Sequence, residues 1–263
     1  MLLGLLWAPP GPADPYVFSA PPRESPQHGQ EDYGPIADYL TKATGRQFAY
    51  HHPRSWLSYI KEMRSGDYDL VFDDPHFVSW RIRALGHTPL VKLPGKLDFV
   101  VISRNHDDEI VNLQDLAGRK VCAKPLPSLG TLTMQDQFTN PIRQPQIRET
   151  EEFENIFAGL LDGRCQGAVV PSKLYGTFNH EATQGQTRIL YLSPPFPNQA
   201  ISAAPSIPTN IQDVIRTTLL SVNGSIAMLR LRERFADGNL MEPTGREEYM
   251  GPATLLDNYH GFK

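Results

Sequence analysis

Residues 66–76 read Gly66-Asp67-Tyr68-Asp69-Leu70-Val71-Phe72-Asp73-Asp74-Pro75-His76. The run from Asp69 to Phe72 is short, has an unbroken apolar core and contains a β-branched residue, so it reads as a strand buried on both faces. Gly66 stops the segment before it, because glycine accepts the left-handed backbone of a helix end. Pro75 suits the first position of the next helix, where its missing N–H costs nothing. That helix is expected to run to about Leu85.

Working outward, Ser55 can cap a helix through Met63, with Trp56, Leu57, Ile60 and Met63 on its apolar positions. Gln47-Phe48-Ala49-Tyr50 before it is strand-like. Residues 32–44 place Ile36, Ala37, Tyr39, Leu40 and Ala43 at helical spacing and end at Gly45. Tyr16-Val17-Phe18-Ser19 is the first strand. Strand and helix thus alternate three times, the signature of a mainly parallel sheet flanked by helices. Leu97-Asp98-Phe99-Val100-Val101-Ile102 is a further strand, and a second series of short strands and helices follows to about Arg234. No low-complexity linker separates the two series. The expected fold class is therefore α/β, with two lobes.

The 263 residues allow one or two hydrophobic cores. The 24 prolines are scattered, so they read as rigid connections between elements rather than as one linker. Lys and Arg number 25 against 29 Asp and Glu, a net charge of −4 that offers no basic stripe for nucleic acid. A small anion needs only a local positive site. No apolar stretch reaches the ~18 residues of a membrane span. Met1-Leu2-Leu3-Gly4-Leu5-Leu6-Trp7-Ala8, followed by Pro9, Pro10, Gly11, Pro12 and Ala13, resembles the apolar part and cleavage zone of a secretory signal without its basic leader; a disordered or tucked tail is the alternative. Cys122 and Cys165 fit an exported protein with one disulfide or a cytosolic one with two thiols. Both belong to strands expected side by side in the second lobe, so they are expected to be neighbours.

Four segments in order resemble the phosphate/phosphite/phosphonate substrate-binding components of ABC transporters, of the transferrin-like (type II) periplasmic binding fold. They are residues 33–45 (Tyr33-Gly34-Pro35-Ile36-Ala37-Asp38-Tyr39-Leu40-Thr41-Lys42-Ala43-Thr44-Gly45), residues 66–72, residues 113–121 (Leu113-Gln114-Asp115-Leu116-Ala117-Gly118-Arg119-Lys120-Val121) and Pro195-Phe196-Pro197-Asn198-Gln199-Ala200. The resemblance covers about residues 16–229. It implies two α/β lobes joined by two crossing strands, here near residues 100–104 and 196–202, that close on a ligand by hinge motion. The division expected is a signal remnant or tail over 1–13, the first lobe over 14–101, the second over 102–197, and a return strand with terminal helices packing on the first lobe over 198–263. It further implies an extracytoplasmic role: a solute-binding protein that delivers a small oxyanion or phosphonate-like ligand to a membrane permease, as a monomer, without cofactor, metal, nucleic acid or catalysis.

Strand ends supply the candidate contacts. In the second lobe, Ser128, Gly130, Thr131 and Thr133 stand at the start of a helix, where free N–H groups and hydroxyls suit an anion; the resemblance puts a Ser/Thr-rich anion turn at this place. In the first lobe, Ser19, Arg23 and Glu24 follow the first strand, with Arg23 suited to grip an anion and Glu24 to meet an amine or Arg23. Asp73 ends the third strand as a candidate contact, Asp74 is a candidate helix cap, and His76 a candidate donor. Trp56, Tyr59 and Trp80 are candidate cleft walls. The resemblance places a polar contact at Ser172, with Tyr175 behind it.

Other readings remain. A ligand-sensing domain of the same fold would signal to a membrane partner. His51 and His52 with Asp73 and His76 would make a metal site, although adjacent strand residues point to opposite faces. An enzyme on this fold is a further reading, but no nucleophile elbow, phosphate loop or zinc-protease motif is present.

Overall fold

The apolar alternation of the first strand sets the first lobe. In β1 (Tyr16–Ser19), Phe18 faces one side and Val17 the other; in β3 (Leu70–Asp73), Leu70 and Phe72 join Phe18 while Val71 faces with Val17. The structure is a computed structural model that describes residues 14–178, 185–257, 259 and 262. The expected signal remnant lies outside the described residues. β1 leads through α1 (Pro26–Thr44) to β2 (Phe48–His51), then through α2 (Trp56–Ser65) to β3, and through α3 (Pro75–Leu85) to β4 (Thr88–Lys92). Ser55 caps α2 through the Ser58 N–H, and Gly66 closes it at φ 75°. α1 begins six residues earlier than the apolar spacing suggests, because Ser25 accepts from the His28 N–H and Pro26 takes the first helical position.

The chain then crosses to a second sheet. The ribbon β5 (Lys96–Leu97) precedes β6 (Phe99–Arg104) and β7 (Lys120–Ala123); α4 (Leu129–Gln135), β8 (Gln146–Glu149), α5 (Phe153–Leu161), β9 (Gly167–Pro171), α6 (Ser172–Phe178) and β10 (Thr187–Leu192) follow. β11 (Phe196–Pro197) pairs antiparallel with β5 and brings the chain back. β12 (Ala200–Ala203), α7 (Thr209–Leu219), α8 (Val222–Ala227), α9 (Leu229–Ala236) and β13 (Glu242–Pro243) complete the first lobe. β6 lies wholly in the second sheet and β12 in the first, so the first crossing falls at β5 rather than at residues 100–104, and the second at β11, at the start of the expected 196–202.

The first sheet has strand order β13-β4-β12-β3-β1-β2, the second β10-β6-β9-β7-β8. Each centres on a parallel trio whose first strand lies between the next two: β2-β1-β3 and β8-β7-β9. Antiparallel strands are added where the crossings return. The order reverses at β1 and at β7, so both lobes open a crevice beyond the carboxyl ends of those strands. Cys122 on β7 and Cys165 before β9 form a disulfide with Cα atoms 5.7 Å apart. Among the described residues no helix is long and apolar enough to cross a membrane.

Candidate functional site

The crevices of the two lobes meet in a closed seam. From the first lobe, His76 at the start of α3 donates Nε2–H to the Pro127 carbonyl of the second lobe at 3.0 Å. A carbonyl only accepts, so this contact fixes the tautomer. Leu132 on α4 leaves its own lobe and packs in the aromatic cluster of Tyr59, Phe77 and Trp80, whereas Leu129 and Met134 on the same helix belong to the second lobe's core. The chain after β13 adds to the seam: Leu255 packs against both clusters, and buried Tyr249 donates to the Asn198 carbonyl beside the ribbon at 2.7 Å.

Arg23 and Asp74 form the charged centre. Arg23 follows β1, Asp74 follows β3, and they meet at 2.8 Å with both side chains mostly buried. Burial opposes the Arg23 charge, but Asp74 together with Tyr33 and Asp73 more than offsets it, and the guanidinium is held charged above its ordinary range. Burial likewise opposes the Asp74 charge, but Arg23, then His76, hold that carboxyl below the usual range. Gln199, at the return from the ribbon, donates to Asp74 at 3.0 Å. Arg23 also lies 5.7 Å from the centroid of the Phe235 ring, and its Nη1 has no hydrogen-bond partner among the described residues. His76 is fully buried, its pKa is lowered mainly by that burial, and its Nδ1 has no partner either.

The remaining candidates divide. Glu24 joins Arg234 of α9 at 2.9 Å, and burial raises its pKa against the pull of Arg234 and Arg23. Ser172 Oγ is buried at the end of β9 without a partner among the described residues. Ser128 stands at the start of α4 but makes no capping bond. Trp56 is half-buried, with its ring centroid 6.1 Å from that of Tyr59 and 6.4 Å from that of Phe77, so it walls the aromatic cluster.

Expectations change for Asp73, Tyr59, Thr131, Thr133, Gly130, Ser19 and the metal reading. Asp73 does not face the cleft: it is fully buried, accepts from the Tyr59 hydroxyl, and takes the Arg81 Nε–H at 2.7 Å. β3 extends one residue further than its apolar run, so alternation points Asp73 with Val71 toward α2 and α3 and leaves Asp74, not Asp73, at the seam. Tyr59 accordingly is core. Thr131 donates its hydroxyl to the Lys124 carbonyl at 2.7 Å, and Thr133 donates to Leu129 O one turn back at 2.7 Å; both are buried, so neither hydroxyl is free for a ligand. Gly130 is required by packing, since a Cβ there would meet the Phe99 ring at 2.6 Å. Ser19 is fully buried and donates to the His51 carbonyl at 2.9 Å, tying β1 to β2. The four candidate metal ligands are dispersed: His51 pairs with Glu62, His52 with Tyr50, His76 with Pro127 and Asp73 with Arg81. Among the described residues no group of three or more His, Cys, Asp or Glu gathers to hold a metal. Gln199 escaped the sequence reading although it sits within a quoted segment; a lone amide carries no signal of its partner.

The model of the family described as "ABC transporter, phosphonate, periplasmic substrate-binding protein" matches residues 18–247. A Xanthomonas citri protein bound to ATP superposes with a TM-score of 0.72 at 13% identity, over 93% of this chain and 97% of that one. PhnD1 from Prochlorococcus marinus, in complex with methylphosphonate, does so with a TM-score of 0.65 at 9% identity, over 92% and 96%. A binding protein component of an ABC phosphonate transporter from Pseudomonas aeruginosa gives 0.60 at 12% identity, over 90% and 84%. No curated protein matches the sequence. At these identities the solved structures establish the two-lobed fold, and the family match establishes descent: the chain belongs to the phosphonate periplasmic substrate-binding family of ABC transporters.

Proposed function

We propose that this chain captures a small phosphonate- or phosphate-class oxyanion between its lobes and delivers it to the permease of an ABC importer. One observation carries the reading above the family match: Arg23 is held charged in a closed seam with Nη1 unpartnered among the described residues. A desolvated guanidinium with a donor to spare suits an oxyanion. Ser172 Oγ and the first-turn N–H groups of α4 are the donors available from the second lobe. The protein works outside the cytoplasmic membrane, as a single chain, with no nucleic acid and no bond made or broken. Leucines interrupt the turn at 128–133, so the second lobe contributes closure and backbone donors rather than a hydroxyl cluster.

A thermal-shift panel of phosphate, phosphite, methylphosphonate, methanesulfonate and ATP tests it. A true ligand at 100 times its Kd adds roughly 2.7 kcal/mol of stability. At least one phosphorus oxyanion must raise the unfolding temperature, and Arg23→Gln must abolish the rise. A panel in which none does, or in which ATP alone does, overturns the reading.

A further inference from the structure

We propose that a groove beside the β5 and β11 ribbon binds a small organic cation, a guanidinium or ammonium group on a short alkyl body. The groove lies outside the seam, and the oxyanion reading neither supports nor requires it.

Its volume is about 410 Å³, within the range of small-molecule sites. Three parts of the chain wall it. Asp136 at the end of α4 and Tyr191 of β10 come from the second lobe, Phe196 from the ribbon, and Glu248 and Met250 from the chain after β13. None of Arg23, Asp74, His76 and Ser172 lines it. Pro194, Pro195, Pro197 and Pro252 do, and they carry no N–H, so they present ring carbons and carbonyls. The threonine hydroxyls of the lining are spent: Thr133 donates to the Leu129 carbonyl at 2.7 Å and Thr254 to the Gly251 carbonyl at 3.0 Å. Gln137 turns one amide N–H to the Thr133 carbonyl at 3.4 Å. The side-chain donors that remain are the other Gln137 N–H and the Tyr191 hydroxyl, against two carboxylates.

Those carboxylates set the charge. Asp136 is exposed, and its side chain has no hydrogen bond or ion pair among the described residues. It lies close enough to Tyr191 to add to burial in raising that phenol's pKa. Glu248 accepts from the Thr244 hydroxyl at 2.7 Å and shares Lys92, 3.4 Å away, with Glu242, so two carboxylates meet one ammonium there. No Lys, Arg or His lines the groove. Tyr191 and Phe196 are half-buried against the second lobe's core, and both rings also border the groove. An anion is repelled here, and a neutral guest leaves Asp136 to water. A cation pairs with Asp136 while its body lies against aromatic and proline rings, and a planar, weakly hydrated guanidinium suits both.

Butylguanidinium and butylurea decide it, since they share a planar head and a tail and differ in charge. The readout is the Met250 methyl resonance of the full chain, with the other methionines as controls. An exposed ion pair and an exposed cation–aromatic contact are each worth up to about fivefold, so butylguanidinium should saturate the Met250 shift at least about tenfold more tightly than butylurea. Asp136→Asn, at an exposed position without a partner, should leave urea unfolding unchanged and lower butylguanidinium affinity about threefold to fivefold. Equal affinity for the two compounds, no saturable shift at Met250, or an Asp136→Asn variant that binds butylguanidinium as wild type does overturns the proposal. If acetyl-Gly-Arg-Gly-amide shifts Met250 and butylguanidinium does not, the groove takes the arginine of a protein partner, and the small-cation proposal falls.

Discussion

Replacing Leu132 by alanine separates closure from folding. Leu132 sits on a helix of the second lobe, is 6% exposed, and packs among side chains of the first. Fully burying a leucine side chain is worth about 1.5–3 kcal/mol, so truncation removes about 2 kcal/mol from the closed arrangement. In an open protein the same side chain faces water, and its loss leaves the lobes themselves intact. Ligand binds the closed state, so a closure weakened by about 2 kcal/mol lowers affinity roughly 30-fold. The assay is titration calorimetry of wild type and Leu132→Ala with methylphosphonate, alongside urea unfolding of both without ligand. The expected result is a large loss of affinity with a small change in ligand-free stability. Unchanged affinity together with a loss of several kcal/mol of ligand-free stability would refute the assignment and make Leu132 an ordinary core residue.

Asp73→Ala should cost about 3–5 kcal/mol in urea unfolding, because it leaves Arg81 charged, fully buried and without its carboxylate; a change below 1 kcal/mol, on the order of a surface pair, would contradict the buried triad. Burial, with Arg81 and Arg246 adding repulsion, pushes the His87 pKa down to about 2. The unfolded chain then takes up a proton below about pH 6.5 that the folded chain refuses, so stability is present above that pH and falls by up to about 1.4 kcal/mol per unit below it. His87→Gln should reduce that slope in urea unfolding at graded pH, while His76 and His52, also lowered by burial, keep part of it. Reduction of Cys122–Cys165, 43 residues apart, should lower stability by at most about 4 kcal/mol; calorimetric unfolding with and without reductant reads it, and no change would mean the bond is not formed in the protein.

The fold was legible wherever local chemistry decides geometry. Ser55, Gly66 and Pro75 marked helix ends that the structure reproduces. β4 was not anticipated, because Pro89 breaks the strand pattern of Thr88-Pro89-Leu90-Val91-Lys92 and its partners, β12 and β13, lie more than a hundred residues away. The site was legible in its loops and not in its directions. Arg23 was named, but its partner was taken as a helix cap, since one extra strand residue exchanges the roles of Asp73 and Asp74. Thr131 and Thr133 had the right chemistry at a strand end, yet a rotation about one bond turns each hydroxyl onto a backbone carbonyl of its own lobe, Lys124 and Leu129. Cys122 and Cys165 were expected as neighbours because adjacency in a sheet follows from strand order, which needs no side-chain direction.

The aromatic cluster under Leu132 gives the protein an optical signal of its own. Two of its three tryptophans, Trp56 and Trp80, belong to that cluster, and the third is Trp7. Leu126 and Leu132 of the opposite lobe cover the same cluster. Parting the lobes wets the indoles and draws their emission to longer wavelength, while closing dries them. Intrinsic fluorescence therefore follows the hinge in real time, without a dye, and a stopped-flow trace of it would give the rate at which the lobes close.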